Sequence, residues 1–270
     1  MTNATISSQQ LPIGLTSSGS TTYLGTRNTL VFGSASDLSI PMDQMIVSAH
    51  EAGRDVSMIS LDVDECNHQH VRPHLDYLAT TPEAARDHLR VAATELHRRL
   101  RLLNIYEASS WVDLPSSAAV QPRTIVIDDV LTLSPRFASL FRGPGDPSRV
   151  SIRMTAMSFV KQLARGNSAG IQIIVGASRF DRNTLPEHAF LRNLPTRAFL
   201  VPLGDVDAQV AEDAVRLLNV QQGEFTRLVD EARAHRRGLT LISDYRSERC
   251  DSFWPASLET IEEAHRMSAT

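Results

Sequence analysis

Lysine is almost missing from this 270-residue sequence: of 27 basic residues, only Lys161 is lysine and the rest are arginine. Any chemistry that requires an ammonium group must therefore use Lys161. Cysteine is scarce as well. Cys66 and Cys250 are far apart and form no CxxC, which excludes a disulfide framework and a zinc ribbon and leaves reduced thiols as the expectation. No run of 18 apolar residues exists, so no membrane-spanning helix is expected, and the polar segment 1–10 lacks the apolar core of a signal peptide. A cytoplasmic protein is the resulting expectation. Strong net charge is absent too. The formal value is −4, so no global basic field points to nucleic acid, and any DNA contact would need a local patch. What is present is the composition of a folded chain, with 42% hydrophobic and 21% charged residues. A chain this long buries roughly three quarters of its unfolded surface and needs no covalent staples.

The hydrophobic pattern alternates between strands and helices. Residues 11–25 read as a β-hairpin around a Ser/Gly turn, and 29–33 as a short buried strand. Met42, Met45, Ile46 and Ala49 follow helical spacing over 41–52, and 56–63 reads as a second strand. The clearest helix spans Pro82 to Leu103. Thr81 suits its N-cap, Pro82 its first position and Glu83 its positive end. Its expected apolar stripe is Ala85, Leu89, Ala92, Leu96, Leu100 and Leu103. Arg86, Arg90, Arg98, Arg99 and Arg101 are left for the surface, as a solvated face or one that meets phosphate. Strands are expected over 124–128, 171–178, 197–203 and 239–243, a helix over 150–165, a loop over 142–147, and a short helix in the tail beyond Trp254. Apolar strands separated by helices predict an α/β fold with a largely parallel sheet.

Ligands of such sheets bind at the carboxyl ends of the strands. There the sequence places Gly33-Ser34-Ala35-Ser36-Asp37-Leu38-Ser39-Ile40, Asp128-Asp129 and Ser178-Arg179. A loop after the first core strand and carboxylates after a central one is the layout of a P-loop nucleotide site.

Five segments carry a family resemblance: PIGLTSSGSTTYLG with NTLVFG, YLATTPEAARDHLRVAATELHRRLRLLNIY, RTIVIDDVLTL, LARGNSAGIQIIVGASRFD and LRNLPTRAFLVPLGDVDAQ. Their order and spacing resemble the motor domain of FtsK/SpoIIIE-type DNA translocases and related conjugation and type VII secretion ATPases. The resemblance covers about Leu11 to Pro255. It implies a RecA-like fold with a small N-terminal hairpin, a single domain over 11–255, a disordered segment 1–10 and a tail 256–270. It also implies ATP and Mg2+ as cofactors, a homo-oligomeric ring or hetero-assembly with an active ATPase, DNA as a partner, and recruitment to a membrane complex. Carried over by position, Asp128 and Asp129 are the catalytic acids, with Asp128 on the metal. Gly33, Ser34, Ser36, Ser39, Ser178, Arg179 and Arg197 face the nucleotide, with Arg197 near a neighbouring subunit.

The departures are specific. The family loop reads like GxTGSGKS, and here it is GSASDLSI. Ser39 stands at the lysine position and Ile40 at the magnesium-binding hydroxyl. Asp37 adds negative charge, a repulsion on the order of several kcal/mol at about 4 Å from a phosphate. Asp129 replaces the water-activating glutamate and is one methylene shorter. Such a shortfall misplaces a base by about 1 Å and costs roughly 100-fold. On the residues alone, Asp128 and Asp129 can equally end a strand and cap the next segment, and Arg197 can anchor its strand through a salt bridge. The reading is a degenerate ATPase domain, a structural or regulatory subunit with little or no hydrolysis. The alternatives are an active translocase with an atypical loop, and a metal-dependent enzyme at Cys66, His68, His70 and His74, which otherwise form a polar loop. Ser158 and Lys161 match S-x-x-K without the rest of that acyl-enzyme site. Arg233, Arg236 and Arg237 suit a helix end, phosphate or inter-subunit pairs.

Overall fold

The computed structural model describes residues 10–15, 21–25, 27–33, 35–61, 70–134, 147–178, 191, 194–200, 206–234, 240–244 and 249–255. Ten strands share one sheet: β1 (Gln10–Leu15), β2 (Thr21–Gly25), β3 (Thr29–Phe32), β4 (Asp55–Ser60), β5 (Tyr77–Ala79), β6 (Arg123–Asp128), β7 (Ile171–Ala177), β8 (Thr196–Leu200), β9 (Thr240–Asp244) and β10 (Arg249–Pro255). Their order is β2-β1-β10-β9-β8-β3-β7-β6-β4-β5. The run from β8 to β5 is parallel. The other four strands pair antiparallel, so the sheet is α/β with an antiparallel wing. Among the described residues five helices pack on it: α1 (Ala35–Glu51), α2 (Pro82–Ile105), α3 (Pro147–Leu163), α4 (Ala208–Leu218) and α5 (Gln222–Ala234).

The parallel strands are apolar on both faces because helices cover both. Every residue of β7 is buried. Alternation still sorts the two cores. Leu30, Phe32, Ile125, Ile127, Ile173, Val175 and Phe199 face α2–α5, while Val31, Val126, Ile174 and Ala198 face α1 and the hairpin. Each such fully buried side chain contributes roughly 1.5–3 kcal/mol. Gly176 opens the α1 face: a Cβ there would lie 2.8 Å from the Met42 sulfur. The Met42 side chain fills the space that a Cβ would take.

Helix α2 begins as the capping residues dictate. The Thr81 hydroxyl accepts the Ala84 N–H, and Pro82 occupies the first turn. Its stripe is corrected at two positions. Leu100 is 37% exposed, and Arg99, expected at the surface, is 4% exposed. Arg99 bonds Glu95 at 2.7 Å and donates to the carbonyls of Ala169, Gly170 and Gln121. Those three carbonyls belong to the ends of the segments flanking β6 and β7, so the guanidinium ties α2 to both. Helical spacing cannot separate an apolar stripe from an arginine stem that reaches inward.

Sequence patterning does not pick out β5 or β10. β5 has three residues, and β10 contains Asp251 and Ser252 within an antiparallel pair with β9. Trp254 and Pro255 end β10, and residues 256–270 lie outside the described residues, as do 1–9 and 135–146. Pro147, expected in a loop, opens α3.

A chain of buried polar groups joins the hairpin to the core at the amino ends of the strands. The Gln172 amide nitrogen donates to the carbonyls of Gly25 and Arg27, and its oxygen accepts Arg54 at 2.6 Å. Asn28 donates to Ala164 O and to Asn167 Oδ1 and accepts the Ile173 N–H. Burial pulls Arg54 down to about 10, still cationic at neutral pH.

Candidate functional site

Strands β3, β7 and β6 are neighbours, and their carboxyl ends bring Gly33, Ser178, Asp128 and Asp129 to one edge. The Gly33 N–H donates to Ala177 O at 3.3 Å, which fixes the first two strand ends together.

The segment expected as a loop is not one. Helix α1 starts at Ala35, so Gly33 and Ser34 alone separate it from β3. Ser34 lies outside the described residues, and Ser36 and Ser39 fall within the first turns of the helix. In an α-helix starting at Ala35, the N–H groups of residues 39 and 40 are directed at carbonyls four residues back. They are thereby withdrawn from any anion. Pro41 at the seventh position has no N–H to contribute and is buried. Gly33 itself is explained by packing: a Cβ there would sit 2.9 Å from Leu200 Cβ and 3.0 Å from Leu200 O. The close neighbour that demands glycine is strand β8.

The acidic end is built differently. Val130, Leu131, Thr132 and Leu133 form a 3-10 turn and all four are buried. The residue before such a turn must cap it. Asp129 does so through Oδ1, which accepts the Leu131 N–H at 2.9 Å. Its Oδ2 accepts the Ser178 N–H at 3.2 Å and a short hydrogen bond from the Ser178 hydroxyl. Arg153 of α3 donates to Thr132 O at 2.7 Å and steadies the same turn. Burial pushes the Asp129 carboxyl up to about 6, against the lowering effect of the Ser178 and Leu131 donors, with the Asp128 charge adding to the rise. Asp128 closes β6 and is half-buried. The Asp129–Ser178 pairing was not visible in the sequence, because 49 residues separate the partners and only strand adjacency joins them.

Other expected residues lie elsewhere. Arg197 is buried near the start of β8, paired in register with Leu30, and donates to Leu194 O and Leu217 O. Arg179 lies outside the described residues. Lys161 is exposed in the last turn of α3, on the face opposite α1 and toward the amino ends of the strands. Of the proposed metal cluster, Cys66 and His68 lie outside the described residues. His70 meets Asp43 at 2.8 Å, and the His74 ring packs edge-on to His50 at 5.1 Å. No group of three metal-capable side chains occurs among the described residues. The arginines of α2 are largely engaged: Arg86 with Asp87, Arg98 and Arg99 with Glu95. Arg236 and Arg237 lie outside the described residues. Among the described residues no helix is long and apolar enough to cross a membrane.

No family model matches the sequence, and no curated protein matches it. Solved structures do. The pCW3 conjugation coupling protein TcpA, in its monomer form with ATPgS, matches with a TM-score of 0.74 at 13% identity, over 97% of this chain and 71% of that one. The cytoplasmic domain of the Thermomonospora curvata type VII secretion ATPase EccC matches with a TM-score of 0.58 at 15% identity, over 92% of this chain. This chain spans 28% of that protein. VirB4 of Thermoanaerobacter pseudethanolicus matches with a TM-score of 0.52 at 11% identity, over 93% and 98% of the two chains. At these identities it is the architecture that is shared: the chain has the RecA-like α/β fold of these ATPases, a parallel sheet flanked by helices.

Proposed function

We propose that this chain is a non-hydrolysing ATPase-fold subunit that serves a DNA-translocation, conjugation or secretion motor as a structural or regulatory part. One observation carries the reading: α1 starts at Ala35, so the N–H groups of residues 39 and 40 are taken up by the helix and only its first turn is left to meet a phosphate. A triphosphate brings several negative charges, and its binding requires backbone N–H groups and a cation aimed at them. Here the backbone donors of residues 39 and 40 belong to the helix, and the sequence supplies Asp37 and no nearby lysine. The inward hydrogen bonding of Asp129 supports the same reading, since a base must reach its water. Among the described residues the donors at this edge do not fit Mg2+-ATP. Among the described residues of this edge, Asp128 is the one whose place suits a metal ligand.

A subunit without turnover contributes through assembly. We therefore expect it in a homo-oligomeric ring or beside an active ATPase, in the cytoplasm or recruited to a membrane complex, with binding of partners independent of nucleotide. Calorimetry of the purified chain with Mg2+ and ATP tests this directly. The expected result is no binding heat up to about millimolar ATP, a Kd weaker than roughly −4 kcal/mol of binding. Micromolar binding, with DNA-stimulated hydrolysis lost in Asp128→Asn, would establish an active translocase instead.

A further inference from the structure

We propose that the outer face of α2 and α3 is a docking surface for an acidic amphipathic helix of another protein. Residues 96–106 and 147–180 contain no Asp or Glu, although the chain holds 31 acids and would on average place about four in the longer stretch. These acid-free segments are neighbours in space. Leu96, Val160 and Leu163 share one core, Leu96 Cδ1 lies 3.2 Å from where a Gly166 Cβ would be, and Arg99 reaches the Ala169 and Gly170 carbonyls. The outward stripe of α2 runs Val91, Thr94, Arg98, Arg101 and Ile105, at steps of three and four, and α3 adds Met154 with Arg165 just beyond its end.

Val91 is 56%, Met154 62% and Ile105 70% exposed. Large aliphatic groups at that exposure gain from being covered. The same outward faces carry Arg101 and Arg165, which have no acidic partner among the described residues, while Glu95 is already taken by Arg98 and Arg99. Aliphatic groups and cations sharing one helical face match an amphipathic helix that carries apolar residues at helical spacing with Glu or Asp beside them. A phosphate backbone would use the cations and leave the aliphatic groups wet. The surface lies on the helical layer away from α1, so it does not depend on how the nucleotide edge is read.

The test is fluorescence anisotropy with the full chain. The probe is a fluorescein-labelled synthetic helix of about 20 residues, Leu at heptad a and d positions and Glu elsewhere. A Lys-for-Glu version and a labelled DNA duplex are the comparators. The Glu helix should bind at least about tenfold tighter than the Lys helix, and Arg101→Glu and Met154→Asp should each weaken it about tenfold with an unchanged unfolding midpoint. The proposal is overturned if the Glu helix does not bind, binds no better than the Lys helix, or is unaffected by the two variants. Duplex binding lost in the same variants would make the face a phosphate surface instead. Self-association in sedimentation, lost in them, would make it a contact between copies.

Discussion

The β3 end and the β6 end of the sheet flank β7, yet they are built in opposite ways. At β3 the backbone decides: α1 begins at Ala35 and Gly33 is held against Leu200. At β6 the side chains decide: Asp129 caps the following turn and meets Ser178. At β3 the N–H groups of residues 39 and 40 are committed to the helix, which no side-chain rotation reverses, and only those of its first turn stay unpaired within it. At β6 an acid stands in place and a rotation would change what it touches. The β3 arrangement is therefore the harder of the two to alter.

The largest test of this contrast is within the acid pair. Asp129→Ala removes the acceptor of three buried donors and should cost about 3 kcal/mol of stability, whereas Asp128→Ala should cost under about 1 kcal/mol. Thermal unfolding of both variants reads the difference, and equal losses would show that Asp129 is not the structural member. Next is Gly33→Ala, which pushes a methyl group into Leu200 and should cost about 2 kcal/mol, a fall of roughly 4–8 °C in Tm. A silent variant would mean that the β3 end is loose enough to form a loop. The smallest effect is a control away from this edge. His88 of α2 bonds the Ser57 hydroxyl at 2.9 Å and stacks on Tyr77. Burial first, then the Arg123 charge, hold it down at about 4, with Asp55 opposing. Its neutral form is the one the fold prefers. That stability is complete above about pH 6.5 and is lost as pH falls toward 4, by about 1–2 kcal/mol after screening. Urea titrations at pH 7 and 4.5 should show a smaller pH slope in His88→Gln than in the parent chain.

How legible each region was follows from the range of its forces. Helix α2 was readable because Thr81, Pro82 and Glu83 act within one turn. The strand ends were readable as places, since TLVF and TIVID are apolar runs bounded by polar residues. The start of α1 was not, because Pro41 suggests a first helical position and the preceding residues align with a loop. Arg99 was not, because the three carbonyls that hold it inward lie 22 to 71 residues away. The Asp129–Ser178 bond belongs to the same class: local sequence proposes an acid and a hydroxyl, and only the order of strands makes them partners.

The amide of Gln172 joins the chain leading out of the hairpin to Arg54 beside β4, across the central strands. In mechanical terms it is a cross-brace. The antiparallel wing and the parallel core cannot shear past one another without breaking buried hydrogen bonds at both ends of a single side chain. The brace sits on β7, the strand whose far end is followed by Ser178.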